Sequence, residues 1–225
     1  MSLASSRARS IVVETLVVVV VAASLARLAF DHSGTAIGLL FLGICHLRSW
    51  RFDDARVRAD GLALAGLAAP VPEPRRAFVR SLVAVIATVA LVFPPFVLAW
   101  VLVQRPVRTF VLGRALEGLE PLAEVLLVAL PEEAFFRGYV QSRLGEALGS
   151  RRAVGPVSRA NLVASLLFAL GHFGTSVSVA RASVFFPSLL FGLLRERTGG
   201  IVAPMIVHAL SNLLARVLFA GFGIG

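Results

Sequence analysis

Two adjacent carboxylates and an arginine, Glu132, Glu133 and Arg137, stand at the end of an apolar run over 125–130. Charges in such a setting are costly to keep, and where they are kept they mark function. Glu133 and Arg137 are four residues apart, so on a helix they share a face and can pair. That pairing leaves Glu132 for proton transfer. The same pattern also reads as an interfacial helix start held by a structural ion pair, and the segment alone does not separate the two readings. Three further polar side chains lie in segments otherwise built of Leu, Ala, Val and Phe. His172 follows Phe168 by four positions, and His208 and Asn212 are spaced i and i+4, which puts them on one helix face. A single histidine in an apolar helix is commonly an interhelical hydrogen bonder. Two carboxylates, an arginine, two imidazoles and an amide in three separate apolar helices are harder to explain by packing. Converging in a cavity, they supply a base, proton-carrying rings and an amide donor, the set needed to activate water and stabilise an oxyanion.

The elements that must position these residues are membrane helices. The 225-residue chain is 57% hydrophobic, with a mean hydropathy of +0.85. That is too apolar for an ordinary soluble domain. The expected fold is all-α, a polytopic bundle of about seven (six to eight) membrane helices around an intramembrane polar site. The net charge of +9 comes from arginine without lysine. These arginines lie between apolar runs, a pattern of topology control and anionic-lipid contact rather than nucleic-acid binding. The single Cys45 excludes an intrachain disulfide and a multi-cysteine metal site.

Along the chain, 11–30 reads as a retained first helix rather than a signal peptide, and 35–47 as a short second one. The charged segment 48–60 reads as a solvated loop, and 61–71 as too short to cross, lying on or dipping into the bilayer. The clearest span is 78–103, which the pair Pro94-Pro95 should kink or divide. A basic connector over 104–118 leads to a fourth helix, from about 119 to 148, carrying Glu132, Glu133 and Arg137. Glu117, Glu120 and Glu124 near its start read as a polar helix entry. Ser158 or Asn161 is placed to cap a fifth helix over 162–173. A sixth follows over 182–195, then Gly199-Gly200, then a seventh over 201–220 with Pro204 in its first turn. Positive-inside counting puts the N-terminus in the cytoplasm, together with 48–60, 137–159 and 195–200. Arg105, Arg108 and Arg114 conflict with that count if every run crosses once. Residues 1–75 carry no diagnostic motif, whereas 76–225 holds the catalytic pattern.

Glu132-Glu133-x-x-x-Arg137, Phe168-x-x-x-His172 and His208-x-x-x-Asn212 together resemble, in order, the three motifs of the CPBP family, whose members are similar to the type II CAAX prenyl endopeptidase and are also called the ABI family of intramembrane proteases. The likeness covers about 80–219 and departs from the pattern at none of the motif positions. It implies a glutamic-type endopeptidase that cleaves a membrane-anchored protein or peptide near its C-terminus. It also implies Glu132 as the base that activates water, His172 as the holder of that water, and His208 with Asn212 as the oxyanion donors. Glu133, Arg137 and Phe168 then support the site, and no cofactor is needed. The residues by themselves do not rank Glu132 over Glu133. CAAX-type processing, bacteriocin-related roles and sorting-signal cleavage all occur among such proteins. The arginine-only usage fits a GC-rich bacterial genome and hence an inner membrane.

Other readings of the same residues stand beside this one. His172, His208 and a glutamate could hold zinc, although there is no His-Glu-x-x-His pair and Asn212 is a poor ligand. A non-catalytic scaffold or immunity protein could keep the fold, but has no need of several costly polar groups. A proton-coupled transporter should show inverted repeats, which are not apparent. Cys45-His46 and Phe135, Phe136, Phe173, Phe185 and Phe186 read as packing, Trp50 and Trp100 as interfacial anchors, and His32 as a solvated turn residue.

Overall fold

The computed structural model describes residues 3–28, 34–51, 53–64, 70–104, 107–117, 122–149, 151–172 and 182–224. The chain is mostly helical. It forms α1 (Leu3–Leu28), α2 (Gly34–Cys45) continued by a π-helical turn π1 (His46–Trp50), α3 (Asp54–Ala59), α4 (Pro74–Gln104) and α5 (Leu112–Glu117). Then come α6 (Leu122–Glu133), the π-helical segment π2 (Ala134–Val140), α7 (Gln141–Leu148), a two-stranded hairpin β1 (Arg152–Val154) and β2 (Val157–Ser158), α8 (Arg159–His172), α9 (Phe185–Thr198) and α10 (Val202–Gly221). Three helices among the described residues are long and apolar enough to cross a membrane, over 6–25, 74–104 and 202–221. In lipid the backbone has no water to bond, so apolar runs such as these satisfy themselves as helices.

Local signals set the boundaries. The Ser158 hydroxyl accepts from the Asn161 N–H at 3.0 Å and caps α8, satisfying one of the donors a helix start leaves over. Gly199 ends α9 with φ +77°, its N–H bonded to the Arg195 carbonyl. Pro204 sits in the first turn of α10, where a missing N–H costs little. Pro94 and Pro95 do not divide α4, which runs through both. Pro131 lies inside α6, three residues before the register widens into π2; proline removes an intrahelical donor, and π segments gather at functional sites.

The main core unites both halves of the sequence. Val19 and Ala22 of α1, Phe41 and Cys45 of α2, Leu62, Phe135, Tyr139 and Val140 of π2, and Phe168 of α8 belong to one buried cluster. A second cluster joins Val85 of α4, Phe191 and Leu194 of α9, and Val207 of α10. Gly192 lets α9 approach α8, since a Cβ there would overlap the Asn161 carboxamide.

Segment 48–60 is largely helical rather than a loop, and only part of it is solvated: Arg51, Asp53 and Asp54 are exposed. Ser49, Val57 and Asp60 are buried, because polar partners come with them. The Ser49 hydroxyl donates to Asp60 at 2.5 Å, and Arg56 donates to the same carboxylate at 2.9 Å. Leu62 and Ala63 are likewise buried in protein rather than lying on a bilayer. At the same end of the bundle Arg56 pairs with Glu146 at 2.6 Å, and Arg195 donates to the Ala59 carbonyl at 2.9 Å. Arg108 is at the other end, donating to the Gly223 carbonyl at 2.6 Å beyond α10. His32, Arg105, Glu120, Phe173 and the side chains of Glu117 and Glu124 lie outside the described residues.

Candidate active site

The centre of the site is Glu133, whose side chain is wholly buried at the α6–π2 junction. One of its oxygens is 3.2 Å from Arg137 Nε, an ion pair across one helical turn, and the other is 2.9 Å from His208 Nδ1. A hydrogen on Nδ1 is donated to this Glu133 oxygen. The opposite ring nitrogen, Nε2, then faces Glu132 at 3.8 Å. His208 therefore sits between the two carboxylates. They differ in access: the Glu132 side chain is 20% exposed and that of Glu133 is 0% exposed.

Arg137 is as buried as its partner. It donates through Nη2 to the Ser188 hydroxyl of α9 at 2.9 Å, and its guanidinium carbon lies 5.0 Å from the Phe168 ring centre and 5.7 Å from that of Phe191. Such a weakly hydrated planar cation is suited to a dry site with aromatic faces. Phe191 also stacks on His208, with centroids 4.8 Å apart and planes 17° from parallel. Ser188 and Phe191 were not among the residues singled out by sequence. Their signal is a stripe on α9, in which Ser188, Phe191, Gly192 and Arg195 recur at helical spacing.

Phe168 links the two histidines. Its ring centre is 4.5 Å from that of His172 and 6.0 Å from that of His208. His172 Nδ1 is 2.9 Å from the Phe168 carbonyl, which fixes the ring against its own helix. Asn212 lies one turn beyond His208 on α10 and is partly buried. Among the described residues, no hydrogen bond joins it to the carboxylates. Nor are three His, Cys, Asp or Glu side chains grouped to hold a metal ion among those residues.

An apolar helical bundle that buries a carboxylate, a guanidinium and an imidazole together defines an integral membrane protein with a polar centre. Residues 114–214, which include all seven motif residues, match the family model Rce1-like, described as Type II CAAX prenyl endopeptidase Rce1-like. Over these residues the chain is similar to this family of CAAX-type intramembrane proteases. No curated protein and no solved structure matches the chain.

Proposed function

We propose that the protein is a glutamic-type intramembrane endopeptidase acting on a membrane-anchored protein or peptide near its C-terminus. The observation that carries this reading is the division of labour between the carboxylates. Glu133 is committed to Arg137 and His208, while Glu132 keeps partial access and faces His208 Nε2 at 3.8 Å. Glu132 takes the proton from water, His172 orients that water, and His208 with Asn212 faces the developing oxyanion. Glu133 and Arg137 hold the geometry. Residues 76–225 form the catalytic core, supported by 1–75. The chain crosses a bacterial inner membrane about seven times, through α1, α2, α4, α6–π2–α7, α8, α9 and α10.

Mass spectrometry of membrane-protein C-termini, in cells carrying the parent or Glu132→Ala, tests the reading and identifies substrates. Termini processed by the parent should persist unprocessed in the variant. With a substrate in hand, Glu132→Gln and His172→Ala should each lower turnover by about a hundred- to ten-thousandfold, with folded yield retained. Near-normal turnover in Glu132→Gln, with Glu133→Gln inactive, would reassign the base.

A further inference from the structure

The turn Asp60-Gly61-Leu62 lies outside every motif, yet it touches the elements that carry the site. The Leu62 side chain lies on Gly138, the residue after Arg137. A Cβ at Gly138 would stand 2.5 Å from Leu62 Cδ2. The Gly61 carbonyl accepts from the Ile201 N–H at 3.1 Å; Ile201 is the residue before α10, which carries His208. The Trp50 indole donates to the Leu62 carbonyl at 3.2 Å, and Asp60 is held by Ser49 and Arg56. Gly61 has φ +69°, and the Arg195 guanidinium covers its open side. A side chain there meets both an unfavourable backbone and a filled space. Leu64 closes the segment at φ +48°, a conformation that a leucine keeps only where its surroundings dictate it.

Two elements have to be kept in register for the site to exist. Glu132, Glu133 and Arg137 come from α6 and π2, and His208 comes from α10. His208 meets Glu133 through a hydrogen bond of 2.9 Å and faces Glu132 at 3.8 Å. Such a contact survives only if its carriers are fixed to within about half an ångström. The turn meets π2 through Leu62 and the start of α10 through Gly61. It therefore sets how far one slides against the other.

We infer that Leu62, seated on Gly138 while Gly61 holds Ile201, is a positioning residue that sets the depth of π2 against α10 and so the meeting of Glu133 with His208. This rests on the reading of the site as an endopeptidase centre. Leu62 touches no reacting group. Its effect belongs in turnover and in the state of His208, not in substrate affinity.

The test uses the full chain in detergent or nanodiscs, with Leu62→Ala, Leu62→Val, Gly138→Ala and the double variant Leu62→Ala/Gly138→Ala. The first readout needs no substrate. Protein labelled with ¹⁵N-histidine gives the His208 ring signals, assigned with a His208→Asn variant, and their change with pH. The second is kcat and KM on a substrate identified as above. Leu62→Ala and Gly138→Ala should each shift the His208 signals and lower kcat by about ten- to a hundredfold, with KM within about twofold. The double variant exchanges bulk across the contact, so its signals and kcat should move back toward the parent's. Leu62→Val should give a smaller change in the same direction, and it decides the matter if the larger truncation does not fold. Folded single variants with parental His208 signals would overturn the inference. So would a double variant no better than the sum of the two singles. If the parent cleaves nothing, the endopeptidase reading fails, and the His208 signals alone decide whether the turn positions the site.

Discussion

Arg137 shows how much one buried charge depends on its partners. Its guanidinium is wholly enclosed, 3.2 Å from Glu133 and hydrogen-bonded to Ser188. Removing it leaves the Glu133 carboxylate buried beside His208 without its cation. Loss of one partner from a fully buried pair costs about 3–5 kcal/mol, so Arg137→Ala should lower folded yield and melting temperature more than His172→Ala does. Ser188→Ala removes only a neutral acceptor, and its cost should be about 1–3 kcal/mol. Thermal unfolding in detergent orders the variants, and an Arg137→Ala protein as stable as the parent would mean that the pair does not hold the site. The pairing of Glu133 with Arg137 is legible in the sequence because both lie on one helix, where spacing gives proximity. The bond from His208 to Glu133 is not, because 75 residues separate them in sequence. Ser188 and Phe191 escape notice for another reason: serine and phenylalanine are ordinary in an apolar helix, and only their common stripe sets them apart.

At the scale of elements, the apolar helices follow from hydropathy, caps and glycines, whereas the segment over 48–64 does not. Its charges suggest solvation, but charge alone does not reveal partners brought from α7 and α9. Asp60 is the case in point. Burial raises its pKa, and the Ser49 hydrogen bond, then Arg56 and Arg143, oppose that rise; Cys45 and Arg195 are also near enough to feel its charge. A carboxyl raised on folding adds stability that is fully present below its unfolded value and is lost as the pH rises through its folded value. The parent should therefore lose stability relative to Asp60→Asn as the pH climbs through and above the ordinary carboxylate range. Melting temperatures of the two proteins across that range give the difference directly. A parent that gains on the variant with rising pH would show that the cations outweigh burial. The π segment was also hidden: 134–140 has the composition of a continued helix, and Pro131 is the one local hint of a change in register.

For the molecule as a whole, the ends of the bundle carry unequal charge, and this bears on its orientation. One end gathers Arg56 and Arg58, the hairpin arginines Arg151 and Arg152, and Arg195 and Arg197 after the core of α9. The contacts of Arg56 with Glu146, of Arg195 with Ala59 and of Gly61 with Ile201 bring these segments together. The other end holds Arg108, bonded to the Gly223 carbonyl, and Arg114, whose guanidinium lies beside Gly223. The connector that conflicts with a simple positive-inside count thus occupies the end opposite the larger cluster. A bias, not an absence, of positive charge orients a membrane protein, and by that rule the 53–64 end is expected to face the cytoplasm. Helix α4 joins the two ends: Arg80 in its first turns approaches Gly199, and after its last residue the chain reaches Arg108. At 31 residues it is about 46 Å long, more than the roughly 30 Å hydrocarbon core. Asp54 and Thr109 are both exposed, one at each end, and the native Cys45 is buried. In sealed right-side-out vesicles, a membrane-impermeant maleimide should label Thr109→Cys and not Asp54→Cys. Inverted vesicles should reverse the result. Labelling of both from one face would mean that α4 does not cross the bilayer, and the paired ends described by the hydrogen bonds would then have to share one aqueous compartment.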